Sequence, residues 1–284
     1  MKVLYATDGL PSAFEALRLL ERVADRGRVQ VTAISVTHAG VPAPEHFPLV
    51  LDPIDVRRAQ TVEVVDAAVE ALLTAGFDAT GRTAEGDPAE EILAAIDQDW
   101  YDLTVVGAGS RGLLGRMLLG SVSTHVLHSS PSSVLMVHES AAQEQPRRVL
   151  LGADGSRGAE LATRTLIDLV DSSRCEVNVI SVLRDAPRLV PGPQAEEVDR
   201  LVAKARRNAE HLASMLQDGG ITANADIRRG HPAERLLEEV RTRGADLVAL
   251  GTRGLGRARH LVGSVSDQVA RLAPATLVAR RLVT

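Results

Sequence analysis

KVLYATDGLPSAFEALRLL (Lys2–Leu20) and RVLLGADGSRGAELATRTL (Arg148–Leu166) are two versions of one segment set 146 positions apart, with Asp8 over Asp154 and Gly9 over Gly155. The correspondence continues outward. VTAISVTHAG pairs with VNVISVLRDA and places Val36 over Val182, and EGDPAEEILAAI pairs with RGHPAERLLEEV, Pro88 over Pro232. DLTVVGAGSRG pairs with DLVALGTRG, which sets Gly109 over Gly251, Arg111 over Arg253 and Gly112 over Gly254. LGSVSTHVLHSSPSSVLMV pairs with VGSVSDQVARLAPATLVAR, so that Gly120, Ser121 and Val122 fall over Gly263, Ser264 and Val265. The offsets drift by only a few residues, the signature of a tandem duplication with small insertions and deletions. Two domains are therefore expected, residues 1–140 and 147–284, joined by a polar linker at 141–146.

Within each copy, runs rich in Val, Ile and Leu alternate with segments of helical period. In the first copy the runs are KVLYAT, VQVTAISV, DATGRTAEG, LTVVGAG and SSVLMVH, separated by SAFEALRLLERVADR, DVRRAQTVEVVDAAVEALLTAG, PAEEILAAIDQD and RMLLGSVSTHVLHSS. Near-continuous apolar runs mark strands buried on both faces, hence a parallel sheet covered by helices. The expected fold class is α/β: two tandem, doubly wound, five-stranded parallel-sheet domains of the Rossmann-type three-layer α/β/α kind, whose ligands bind beyond the carboxyl ends of the strands. The proline-rich stretch His38–Asp55 and its counterpart Leu183–Gln194 are read as long loops leaving that edge.

Composition narrows the function. The chain of 284 residues is 45% apolar and 24% charged with a formal net charge of −5. An acidic balance argues against nucleic-acid or membrane-surface partners. One Trp, two Tyr and three Phe are too few for base-stacking platforms. No apolar run reaches the ~18 residues of a membrane span, and a lone cysteine, Cys175, fits a reducing cytoplasm; the expected location is cytoplasmic, with Cys175 a packing residue.

The motifs sit at the strand ends. Gly107, Gly109 and Gly112 spell GxGxxG, but a dinucleotide fingerprint follows the first strand, whereas this one follows the fourth. In the alignment by motif Gly107 falls over Ala249, leaving GxxG followed by GSVS as the recurring element. Glycines permit a tight turn, and a GSVS at a helix start offers free N–H groups and hydroxyls to anionic oxygens. Arg111 and Arg253 add positive charge, and no P-loop GxxxxGK[ST] is present. Asp8 and Asp154, at the ends of first strands, are placed either to accept bonds from a ribose hydroxyl or base amino group, or to cap the following helix. His125 and His128 have i,i+3 spacing without a matching pair in the second copy, and are read as exposed helical histidines rather than metal ligands. Ser121 and Ser264 lack a sequence cue for an activating base. No catalytic set is evident, so an enzyme is not expected, with weak ATP hydrolysis at most.

TDG after the first strand, GxPAExI before the fourth, and GxxG with a downstream GSVS resemble the universal stress protein family over essentially the whole chain, twice. The resemblance implies non-catalytic binding of ATP, with AMP or ADP as alternatives and Mg²⁺ as a companion ion, in a stress response exerted through nucleotide-dependent conformation or assembly. It implies that Asp8 and Asp154 contact the nucleotide and that Val36 and Val182 line the adenine pocket. Ribose and phosphates would fall to Gly109, Gly112, Gly120 and Ser121 in the first copy and to Gly251, Gly254, Gly263 and Ser264 in the second. The ATP-binding pattern is GxxG, nine residues, then G[ST]; here seven residues separate Gly112 from Gly120 and eight separate Gly254 from Gly263. The resemblance also implies an intramolecular pseudo-dimer in which SVLMV and ATLVA pair across a pseudo-twofold, and leaves a further homodimer open. The alternatives are a ligand-free tandem scaffold for protein association and a slow ATP-hydrolysing enzyme.

Overall fold

Val3, Leu4 and Tyr5 are all buried, although successive side chains of a strand point to opposite faces. That strand, β1 (Lys2–Ala6), is therefore covered on both sides, as a central strand of a helix-sandwiched sheet must be. The computed structural model describes residues 1–38, 54–109, 119–138, 147–184, 193–252 and 262–280. Around β1 the first half builds α1 (Pro11–Val23), β2 (Gln30–His38), α2 (Ile54–Thr74), β3 (Asp78–Gly86), α3 (Pro88–Asp99), β4 (Leu103–Gly107), α4 (Ser121–Ser129) and β5 (Ser133–Val137). The second half repeats the series as β6 (Arg147–Gly152), α5 (Arg157–Leu169), β7 (Cys175–Leu183), α6 (Pro193–Asp218), β8 (Thr222–Arg229), α7 (Pro232–Arg243), β9 (Leu247–Gly251), α8 (Ser264–Leu272) and β10 (Ala275–Ala279).

The two five-stranded sheets are one. The ten strands lie in the order β3-β2-β1-β4-β5-β10-β9-β6-β7-β8, parallel within each half and antiparallel where β5 meets β10, Leu135 opposite Leu277. Every residue of β5 and of β10 is buried. One apolar cluster runs across both halves on the α1/α2/α5/α6 face, and two others fill the opposite face under α3/α4 and α7/α8. The ends of α1 and α5 add a second seam: Asp25 N–H donates to Leu169 O at 2.8 Å and Asp171 N–H to Val23 O at 2.8 Å.

Local chemistry explains the element boundaries. Asp87 caps α3, its carboxylate accepting from Ala89 and Glu90 N–H, ahead of Pro88, and Ala89, Ile92, Ala95 and Ile96 form the buried face. The helix expected over Arg116–Ser130 begins only at Ser121, because Gly120 takes an extended conformation, ψ 152°, as the N-cap; residues 116–118 lie outside the described residues. The Leu183–Gln194 loop is shorter than expected: Leu183 closes β7 and Pro193 opens α6. Residues 39–53, most of the first expected loop, and the linker at 141–146 are likewise outside the described residues.

If β5 and β10 form the central seam, Leu135→Ala and Leu277→Ala each lower stability by about 2–5 kcal/mol. A double-mutant cycle in urea should then return a coupling of about 0.5–3 kcal/mol, as for side chains in contact.

Candidate functional site

In the first half β1 lies between β2 and β4, so connections leaving β1 and β4 turn to opposite sides of the sheet and open a crevice at the carboxyl edge. A cleft of about 760 Å³ occupies it. Its walls are Thr7, Asp8 and Gly9 after β1, Ser35 to His38 at the end of β2, Gly107 and Gly109 after β4, Gly120 to Ser123 at the start of α4, and Gln60, Thr61 and Val64 on α2. Asp8, Val36, Gly109, Gly120, Ser121 and Val122 thus come together, while Arg111, Gly112, Arg253 and Gly254 lie outside the described residues.

Neither first-strand aspartate is a helix cap. Asp8 Oδ1 accepts the Leu10 N–H at 2.9 Å and Asp154 Oδ1 the Ser156 N–H at 3.0 Å. Each closes a tight turn over a glycine of positive φ, Gly9 at +74° and Gly155 at +75°. The caps are Leu10, with no side-chain bond, and Ser156, whose Oγ accepts from Ala159 N–H. The exposed carboxylates keep Oδ2 without a protein partner among the described residues.

Strand register changes the glycine correspondence. β1 pairs with β4 through Val3–Leu103 and β6 with β9 through Val149–Leu247, so Leu103 is equivalent to Leu247 and Gly107 to Gly251. Three contacts agree. Asp102 and Asp246 accept the Lys2 and Arg148 N–H groups, at 2.7 and 3.1 Å. Gly120 N–H donates to Ala108 O at 2.8 Å and Gly263 N–H to Thr252 O at 2.6 Å. A Cβ on Gly107 would meet Ser12 C at 2.6 Å, and one on Gly251 would meet Gly158 C at 2.5 Å. The recurring glycine is therefore the strand-end one, which lets the first turn of α1 or α5 approach. Gly109 has a separate role: with φ +100° its Cα faces Gly120, and a Cβ there would lie 2.7 Å from Gly120 N.

Gly120 and Gly263 bring no capping side chain to α4 and α8. The first-turn N–H groups of Ser121 and Val122 have no acceptor among the described residues, and both residues line the cleft. Ser123 Oγ instead ties the helix start to Ala108 O at 3.2 Å, and Ser266 Oγ does the same to Gly251 O at 2.7 Å. Val36 and Val122 pack against the α3/α4 cluster, Val182 and Val265 against the α7/α8 cluster.

Sequence motifs missed the α2 wall. Thr37 donates to Thr61 Oγ1 at 2.8 Å, which in turn donates to Arg57 O, and Val64 packs over Gly9. In the second half Asn208 stands over Gly155, its Nδ2 2.2 Å from where a Cβ would lie. The copies thus differ at the aspartate turn, apolar in one and amide in the other; an α-helical wall carries no short motif, and only the pairwise alignment of α2 with α6 could have shown it. His125 and His128 turn to different partners, Glu90 at 3.4 Å and Asp267 at 3.3 Å, and no metal-holding cluster occurs among the described residues. Cys175 is buried against Val23 O, and burial pushes its thiol up to about 12, with Asp171 and Asp246 adding to the rise.

The fold is a doubly wound α/β architecture with a cleft at the carboxyl ends of its strands. The sequence profile of the universal stress protein family matches residues 1–138 and again 146–280, and the chain belongs to that family. It is 29% identical to a universal stress protein of Mycolicibacterium smegmatis over 284 residues, covering 95% of this chain and 94% of the relative. It is 27% identical to one of Mycobacterium tuberculosis over 290 residues, covering 98% and 96%. The crystal structure of a universal stress protein from Archaeoglobus fulgidus shares the fold, with a TM-score of 0.69 at 23% identity, covering 99% of this chain and 98% of that one. No helix among the described residues is long and apolar enough to cross a membrane.

Gly107→Ala and Gly251→Ala should destabilise their halves alike, and Gly109→Ala should add backbone strain of about 1–3 kcal/mol; denaturant titration measures each. Cys175 should resist iodoacetamide at about pH 8 in the native protein and react once unfolded. Because its folded pKa is raised, the stability it contributes is intact below its ordinary value of 9.0 and is lost as pH rises toward about 12, so Cys175→Ala should flatten that part of an alkaline unfolding curve.

Proposed function

We propose that the first half binds an adenine nucleotide, ATP above AMP or ADP, without turning it over, and that the chain acts in a stress response through the bound state. The observation that carries this reading is the convergence, in one cleft of about 760 Å³, of a carboxylate whose Oδ2 has no partner among the described residues, Asp8, and a helix start without a side-chain cap, Gly120 to Val122. Asp8 Oδ2 is suited to accept from a ribose hydroxyl or base amino group, and Val36 offers an apolar wall to the base. The α4 N–H groups and the Ser121 hydroxyl offer donors to phosphate oxygens at the positive end of the helix dipole. When bound, the nucleotide supplies its own negative charge and, with Mg²⁺, its own metal.

The glycine register brings the first copy to the length of the family pattern but not to its second glycine. Counted from Gly107, Gly120 is thirteen positions on, the span of the GxxG, nine-residue, G[ST] pattern, with Ser110 at its second glycine. Counted from Gly251, Gly263 is twelve on, one short.

Mass spectrometry of the denatured, freshly purified protein should release ATP or AMP, and millimolar MgATP should raise the melting temperature. Absence of both overturns the reading, and multiple turnover above ~1 s⁻¹ overturns its non-catalytic part. Asp8→Ala should weaken ATP about tenfold, the worth of a hydrogen bond to a charged group, whereas Asp154→Ala should leave the first-half affinity unchanged in calorimetric titration.

A further inference from the structure

α4 is only nine residues long, and the two halves share it. Its N–H end faces the first-half cleft; its carbonyl end is held by the second half. The Arg280 guanidinium donates to Leu127 O and to Ser130 O, while Val126 O is satisfied by Ser130 N–H at 2.9 Å. Arg280 is itself pinned by its own backbone. Its N–H donates to Ser133 Oγ at 3.1 Å, and the Ser133 hydroxyl returns a bond to Arg280 O at 3.3 Å.

The arrangement is reciprocal. His138, the first residue after β5, holds α8 as Arg280, the first residue after β10, holds α4. Its ring Nε2–H donates to Ala270 O at 2.7 Å, and its backbone N–H to Pro274 O at 2.9 Å. Leu127 and Ala270 are each the seventh residue of their nine-residue helices, so the two holds fall at one place in the repeat. The cause is the antiparallel β5–β10 pair, which brings the exit of each strand beside the end of the other half's helix. His128 on α4 reaching Asp267 on α8 at 3.3 Å draws the same two helices together.

A cation at a helix carboxyl end and an anion at its amino end stabilise the same dipole, and along a helix this short, about 13 Å at 1.5 Å per residue, both act on one aligned set of peptides. We infer that Arg280 is a positioning residue for the anion-binding end of α4, so that the first-half site is completed by the second half, and that His138 holds α8 in the same way. This rests on the nucleotide reading of the α4 amino end.

The test uses the full chain. Arg280→Gln should weaken ATP about three- to tenfold and leave adenosine, measured by competition, unchanged, because adenosine has no phosphate to meet α4. Arg280→Lys, which keeps the charge near the same carbonyls, should retain most of the ATP affinity and serves if the glutamine variant folds poorly. Amide exchange at the carboxyl turn of α4 should quicken in Arg280→Gln and not in His138→Ala, which should instead quicken α8. Equal losses for ATP and adenosine, an unchanged ATP affinity, or unchanged α4 exchange would each overturn the positioning role. A wild-type chain that binds no ATP overturns the nucleotide reading alone, and the exchange comparison still decides whether Arg280 holds α4.

Discussion

The pairing of β5 with β10 is the contact on which the rest depends. Both strands are buried at every position and apolar except at Ser133 and Thr276, and such a strand left at a sheet edge would expose unpaired backbone groups beside apolar side chains. Joining the two edges removes the problem for both halves at once. It also fixes the geometry of everything nearby: α4 beside α8, the ends of α1 and α5 exchanging N–H bonds, and Arg280 and His138 crossing to the opposite half.

Much of this was legible because it is repetitive. The duplication, the α/β order and the buried parallel strands follow from apolar periodicity, and the family resemblance implied the central strand pair. The glycine correspondence was not legible in the same way. Matching GSRG to GTRG maximises identity, yet the backbone is registered by the strand before it, where Asp102 and Asp246 each receive the N–H of a first-strand residue. Identity in a loop follows residue type, whereas equivalence in space follows the ladder of hydrogen bonds. The start of α4 was legible from GSVS but not from periodicity: the helical period runs through Leu119, whereas Gly120 takes the extended conformation and the helix begins at Ser121. The local bonds of Asp8 and Asp154 depend on a single oxygen and a glycine turn, which spacing alone does not distinguish from a cap.

The duplication also shows which constraints concern charge and which concern its sign. Arg82 reaches Asp99 at 2.6 Å in the first half, and at the same two positions of the second half Asp226 is reached by Arg243 at 2.6 Å. The pair has been kept with its polarity reversed, as Coulomb attraction allows. In the second half it has grown into a network through Glu239 and Arg228. Burial raises the Glu239 pKa, but hydrogen bonds from Arg228 and Arg243 outweigh it and hold the carboxyl below its ordinary range. A solvent-open pair such as Arg82–Asp99 is worth little singly; the recurrence of the pair marks where each edge strand is held to the helix beside it.

Antiparallel joining has a directional consequence. Strands that run one way in the first half run the other way in the second, so the Asp8 edge and the Asp154 edge look out from opposite rims of a single continuous sheet. A small molecule held at one rim cannot touch the other, and a partner protein docked over one leaves its counterpart free. The sheet is one plate with two outward-facing carboxyl rims, joined by a shared strand pair rather than by a common cleft.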